Sequence, residues 1–236
     1  MEEFFRAGII PIDITEADPF MGDRTGHEDE IIETKERTDE YAYQWATVQL
    51  VGNAVPIVLD ARPVRKGESR LEIVEDLLDS AEELVHVDNV LMDREFDSQH
   101  VLERLSQRGL SYVVPKRMQT CEKAQAKRLL KRGTDRYETD RKLHLGNNEW
   151  HETTLIYRRK EDSEHDDHRQ YSVFMSNCGS GHLTEYGYRW EIESSYRSIK
   201  RFMAATTSKG CASSTSRSPA CCTRFGGRLI CSYRLS

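Results

Sequence analysis

Thr184-Glu-Tyr-Gly-Tyr-Arg-Trp-Glu-Ile-Glu-Ser-Ser-Tyr-Arg-Ser-Ile-Lys-Arg-Phe-Met203 is the stretch that decides how this chain is read. Tyr186, Arg189, Glu193 and Lys200 are separated by two, three and six residues. At the helical repeat these four positions fall within roughly 60° of one another around the axis. Ile192, Tyr196, Ile199 and Met203 form a second stripe at i, i+4, i+7 and i+11, the pattern of a core-facing side. One helix therefore presents a carboxylate flanked by an aromatic hydroxyl and two cations, a set suited to phosphate and metal together. Taken alone, the same residues also describe an ordinary amphipathic helix with an Arg–Glu pair one turn apart.

The Tyr-Arg-Glu-Lys spacing resembles the YREK signature of DDE transposases of the insertion-sequence-4 group. That resemblance implies two further acids upstream, each on a strand. Ala7-Gly-Ile-Ile-Pro-Ile-Asp13-Ile-Thr15 is a short apolar run interrupted by one acid. A strand has little reason to carry a carboxylate mid-run unless it is paired or binds metal. Val87-Asp-Asn-Val-Leu-Met-Asp93-Arg-Glu-Phe96 is a second apolar strand ending in an acid. The family's motif there reads Asp-Arg-Gly-Phe; Asp93, Arg94 and Phe96 match it, and Glu95 replaces the glycine. Asp18 and Asp23 are alternatives for the first acid, in what reads as a Pro/Gly-containing loop. Asp60, at the end of another apolar run, reads as a strand-to-loop residue. Asp88 and Asp97 flank Asp93, and Asp97-Ser98 looks like the cap of a following helix.

The periodicities predict strands at 9–15, 42–51 and 54–62, a helix at 69–84, a strand at 87–93, a helix at 98–108 and a strand at 110–115. Leu71, Val74, Leu77, Leu78, Ala81 and Leu84 carry the first helix, with Ser69 as its cap. Val101, Leu102 and Leu105 carry the second, and Gly109 closes it. This order resembles the ribonuclease-H-like fold, an α/β class with a mixed sheet flanked by helices. In that fold the strands bearing the two aspartates lie side by side, so Asp13, Asp93 and Glu193 are expected to converge at strand ends. The resemblance implies two Mg²⁺ or Mn²⁺ ions held by these three carboxylates, all-oxygen ligands that suit hard cations. It also implies that Tyr186, Arg189 and Lys200 hold DNA phosphate beside the cut. The implied activity is DNA cleavage at an element's end followed by strand transfer, in the cytoplasm at the nucleoid, with transposon ends and target DNA as partners and a homodimer as the assembly.

The expected division is a core at 1–117, an insertion at 118–183, the signature helix at 184–209 and a tail at 210–236. The insertion has two good strands, Glu149–Arg159 and Arg169–Met175, joined by a charged tip at 160–168. His165 and His168 in that tip are at most a weak metal pair. Residues 116–142 hold ten Lys or Arg, either a track for a DNA backbone or a solvated helix. Trp150 and Trp190 read as core residues.

With 236 residues, 37% of them hydrophobic, the chain can bury one substantial domain with an insertion. No apolar run reaches the length of a membrane span. A net charge of −6 means that any basic surface is local, and the acidic, arginine-favouring style resembles haloarchaeal transposases. The tail changes character: Cys211, Cys221, Cys222 and Cys231 are four of the six cysteines, set among serines and arginines. Their spacing matches no two-pair zinc pattern. A frameshift near residue 210 explains the composition better, since a shifted frame restores an apolar helix. With only twelve residues before Asp13, the chain reads as a catalytic core trimmed at the front and scrambled at the end. The alternative to an active enzyme is a remnant that at most binds DNA or a full-length partner.

Overall fold

The computed structural model describes residues 8–20, 22–34, 40–53, 55–161, 163–202, 222–225 and 228–231, with backbone alone at 17–19, 198–202 and the last two stretches. Contacts divide the chain into two compact units, Met1–Val87 with Tyr188–Ser236, and Asp88–Gly187. The fold is mixed α/β, with strands and helices in both units.

In the first unit β1 (Gly8–Pro19) pairs antiparallel with β3 (Tyr41–Leu50), and β3 with β4 (Ile57–Val64). A short β2 (Ile31–Glu33) adds to β3. Ile10, Ile12, Ala46 and Val48 are fully buried, the reason this apolar meander holds its register. Helix α1 (Arg70–Glu82) starts at a complete capping box: Ser69 Oγ accepts from the Glu72 N–H and the Glu72 carboxylate accepts from the Ser69 N–H, both at 3.1 Å. Its Ile73, Val74, Leu77 and Leu78 have no exposed surface, each such burial contributing about 1.5–3 kcal/mol. Helix α4 (Arg189–Phe202) packs against β1.

The second unit holds a mixed sheet. β5 (Val87–Met92) and β6 (Ser111–Pro115) are parallel, joined through α2 (Gln99–Gln107). β9 (Tyr171–Ser176) pairs antiparallel with β6, then β8 (Glu149–Arg159) with β9 and β7 (Arg136–Gly146) with β8. Helix α3 (Thr120–Lys131) precedes β7. β7 is an edge strand whose side chains are mostly exposed, and its charges guard that edge. The β7–β8 turn places Asn147 and Asn148 at φ of 47° and 63°, the left-handed pair that a tight hairpin requires.

These elements depart from the sequence expectations in several places. β2, α3 and β7 are additions to the expected set. The basic run 116–142 is divided between α3 and β7, with Lys123, Lys127, Arg128 and Lys131 on the helix. Asp18 lies on β1 rather than in a loop. Trp150 and Trp190 are 57% and 60% exposed, so neither is a core residue. The tail from 210 lies outside the described residues except for two short strands, β10 (Cys222–Phe225) and β11 (Arg228–Cys231), which pair as a hairpin. No described helix is long and apolar enough to cross a membrane.

Candidate functional site

Asp13 sits in the middle of β1, directly opposite Thr47 of β3. Arg189, the first residue of α4, reaches it: Nη1 lies 3.4 Å from Asp13 Oδ2. The other end of the same guanidinium donates to Glu193 Oε1 at 2.5 Å, one turn further along the helix. Two of the three expected carboxylates, far apart in the chain, therefore share one cation. Their surroundings differ. The Asp13 and Arg189 side chains are only 14% and 17% exposed, whereas that of Glu193 is 48% exposed.

Tyr196 completes this group from the buried stripe of α4. Its hydroxyl donates to the Asp13 carbonyl at 3.2 Å and lies 2.5 Å from the Thr47 hydroxyl. Burial pushes its phenol far above the ordinary tyrosine value, and the charge of Asp13 adds to the shift. The phenol thus stays neutral and serves as a donor. Arg189, Glu193 and Tyr196 stand at i, i+4 and i+7, which puts all three on the face turned to β1. The spacing is a sufficient signal for Tyr196, but a ring on the apolar stripe reads as core, and its hydroxyl goes unnoticed. Thr47 carries no signal, because the register that sets it against Asp13 is not written in either strand alone.

Asp93 follows β5 in the second unit and caps the single 3-10 turn Arg94–Phe96, accepting from the Arg94 N–H at 2.6 Å. Glu95, standing where the motif has glycine, is accommodated inside that turn. Ser98 is the N-cap of α2, without a side-chain cap bond, and Asp97 instead accepts from the Arg117 N–H at 3.1 Å and from Lys116 at 3.4 Å. Tyr186 is not on the helix with Arg189. It lies in a 3-10 turn, Glu185–Tyr188, because Gly187 interrupts the helical run. Its hydroxyl donates to the Met92 carbonyl at 3.4 Å, and its ring packs edge-on against Phe174 at 5.0 Å. Neighbouring Glu185 is fixed by Asn89 at 2.7 Å and by His182 at 2.9 Å. Lys200 lies on α4, with its side chain outside the described residues.

Asp13 and Glu193 offer only oxygen donors, a set that fits Mg²⁺ or Mn²⁺ rather than zinc or copper. Among the described residues no three His, Cys, Asp or Glu side chains are gathered tightly enough to hold a metal ion by themselves. Arg189 stands between Asp13 and Glu193 and supplies their counter-charge.

A family model, the transposase DDE domain, matches residues 52–210, about two thirds of the chain. The chain belongs to the DDE transposase family. The matched stretch includes Asp93, Tyr186, Arg189, Glu193 and Lys200 and leaves Asp13 outside. Asp13 is joined to the family's stretch through Arg189 and Tyr196. Transposases of this domain generally work with divalent metal ions. No curated protein matches the chain. Among solved structures, a chain of the Drosophila P element transposase strand transfer complex aligns over 44% of this chain and 22% of its own length. With 9% identity and a TM-score of 0.23, that likeness is too low to bear on fold or function.

Proposed function

We propose that this chain is a transposase catalytic core that cuts and joins DNA, with Asp13, Asp93 and Glu193 as its acids. The observation that carries the reading is Arg189 held between Asp13 and Glu193 at 3.4 and 2.5 Å. A site that handles phosphate has reason to gather two carboxylates on one forked cation beside a strand. Asp93 joins the set through the resemblance of its motif and its place after β5. Bound Mg²⁺ or Mn²⁺ would supply activation of the attacking oxygen and stabilisation of the leaving one.

The chain's own residues do the rest. Arg189 presents two parallel N–H groups to a phosphate, and on doing so releases Asp13 and Glu193 to bind cations. Lys200 holds a neighbouring phosphate as a point charge, and Tyr186 reaches another by exchanging its 3.4 Å bond to the Met92 carbonyl for a phosphate oxygen. Tyr196 fixes the backbone at Asp13 so that its carboxylate keeps its direction. In the hydrolytic step a water oxygen bonds to phosphorus and the 3′-oxygen departs. In the joining step that freed 3′-hydroxyl loses its proton, bonds to a phosphorus of the target strand and displaces the target's own 3′-oxygen, which leaves as a hydroxyl. Transposon ends and target DNA are the partners, a homodimer is the working assembly, the cytoplasm at the nucleoid is the place of action, and the element is of the insertion-sequence-4 type.

The test is Mg²⁺- or Mn²⁺-dependent cleavage of plasmid DNA carrying the element's terminal repeats, with Glu193→Gln alongside. Cleavage by the parent chain and none by the variant is expected. Folded protein that leaves the plasmid intact with either metal refutes the active reading. A second reading, an inert remnant that binds DNA or a full-length partner, is favoured by one observation. The family match stops at residue 210, where the sequence turns to the serine- and cysteine-rich tail.

A further inference from the structure

The second unit contains an open cleft of about 600 Å³ between the ends of β7 and β8 and the turn that precedes the signature segment. Such a volume lies within the range of ligand clefts, roughly 300–1,000 Å³. Four cations line it, Arg136, Arg158, Arg159 and Lys160, against two carboxylates, Asp135 and Glu161. Arg136 and Arg158 are direct cross-strand partners in the β7–β8 ladder. Like charges placed directly opposite destabilise a sheet, so folding alone gives no reason for the pair.

Nor are these charges used up internally. Arg136 meets Glu138 through Nε at 3.3 Å, which leaves the two terminal nitrogens of its fork for another acceptor. Arg159 is held by Gln170 at 3.0 Å and by Asp135 at 3.5 Å. Among the described residues the side chains of Arg158 and Lys160 have no hydrogen-bond or ion-pair partner. Hydroxyls of Ser163, Ser180 and Thr184 add neutral donors around the same space. Among the described residues no aromatic ring lines the cleft, so it offers no platform for stacking a base. What remains is a recognition surface for anionic oxygens.

We infer that this cleft is a phosphate-binding site that takes the phosphodiester backbone of a DNA strand, with Arg136, Arg158 and Lys160 as its charged contacts. The inference rests on the DNA reading above and adds to it a second place of contact. Leu183 and Thr184 of the cleft wall directly precede the Glu185–Tyr188 turn, so strand held here is held beside the signature segment.

The experiment measures binding of a labelled DNA duplex by the full chain between about 50 and 200 mM salt. Arg158→Glu and, separately, Lys160→Glu are compared with the parent after melting curves show each to be folded. Each variant is expected to bind more weakly, with the slope of log K against log salt shallower by about 0.9 for each phosphate that the variant no longer neutralises. A parent that binds duplex and variants with the same affinity and slope overturn the site and leave the DNA reading standing. Variants that fail to bind inorganic phosphate but keep the duplex also overturn it. A parent that binds no duplex overturns both.

Discussion

Replacing Arg189 with methionine removes the cation shared by Asp13 and Glu193 while keeping much of its length. The two halves of that bridge are unequal. At 3.4 Å and an effective dielectric of about 20, the gross attraction between Asp13 and Arg189 is ~5 kcal/mol, from which the cost of taking both groups out of water is subtracted. Breaking a well-buried pair costs about 3–5 kcal/mol; Asp13 and Arg189 keep 14% and 17% exposure, which places the net destabilisation at ~1–3 kcal/mol. The Glu193 half is 48% exposed and is worth ~0–1 kcal/mol. Arg189→Met is therefore expected to lower the melting temperature by about 2–12 °C, and Glu193→Gln by no more than about 4 °C. The same substitution removes the cation held between two carboxylates, so Mg²⁺ is expected to stabilise the variant more than the parent. At a concentration about tenfold above its dissociation constant the ion adds ~1.4 kcal/mol. The assay is thermal unfolding of parent and both variants with and without MgCl₂. Equal destabilisation in the two variants refutes the asymmetry, and an Mg²⁺ shift no larger in Arg189→Met than in the parent refutes Arg189 as counter-charge at a metal site.

Tyr196→Phe is expected to cost ~1–3 kcal/mol in urea unfolding, because it takes the donor from the Asp13 carbonyl and the partner from the Thr47 hydroxyl, and Thr47→Val ~0.5–1.5 kcal/mol, because Tyr196 keeps its bond to Asp13. The double variant costs less than their sum, and strict additivity would show that the 2.5 Å contact contributes nothing. His151 is buried beside the Tyr112 hydroxyl at 2.8 Å, and burial depresses its pKa. The folded state therefore binds fewer protons there, so this stability is present above about pH 6.5 and is lost as pH falls through the lowered value. Melting temperature in the parent should fall more steeply below about pH 6.5 than in His151→Gln. Arg158→Glu converts a like-charge cross-strand pair into an attractive one and is expected to raise stability by ~0.2–1 kcal/mol, read as about 1–3 °C in melting temperature.

The elements legible in the sequence are those with a buried face. Alternation alone bounds β8 at Glu149 and Arg159, because His151, Thr153, Leu155 and Tyr157 all turn inward. Its partner β7 is illegible, since an edge strand with charges on most positions carries no period for the eye to find. Gly146-Asn147-Asn148 is the available clue, a turn signal without an apolar run before it. α3 is hidden for a related reason: only Ala126 and Leu129 are buried apolar residues on it. Asp13, Arg189 and Glu193 are legible because helical periodicity and a charged residue in an apolar strand are both local facts. The parts that depend on pairing register are not, above all Thr47 opposite Asp13. Tyr186 fits the helix by its angle, and angle says nothing about the glycine that ends helical order before Arg189.

One device occurs twice around the candidate acids. In the unit that contains β1, the Tyr196 hydroxyl donates to the carbonyl of Asp13 itself. In the unit that contains β6, the Tyr186 hydroxyl donates to the carbonyl of Met92, the residue before Asp93. Both tyrosines come from the signature stretch, and both grip main chain rather than carboxylate. A hydroxyl bonded to a carboxylate would compete with a metal ion for its lone pairs. Bonded to the carbonyl, it fixes the backbone while those oxygens keep their capacity to bind. The phenol suits this task better than a charged donor would. Its raised pKa keeps Tyr196 protonated next to Asp13, so it retains the hydrogen it donates and adds no charge of its own. Positioning and charge are thus assigned to different side chains: the tyrosines set where each acid stands, and Arg189 answers the charge of Asp13 and Glu193.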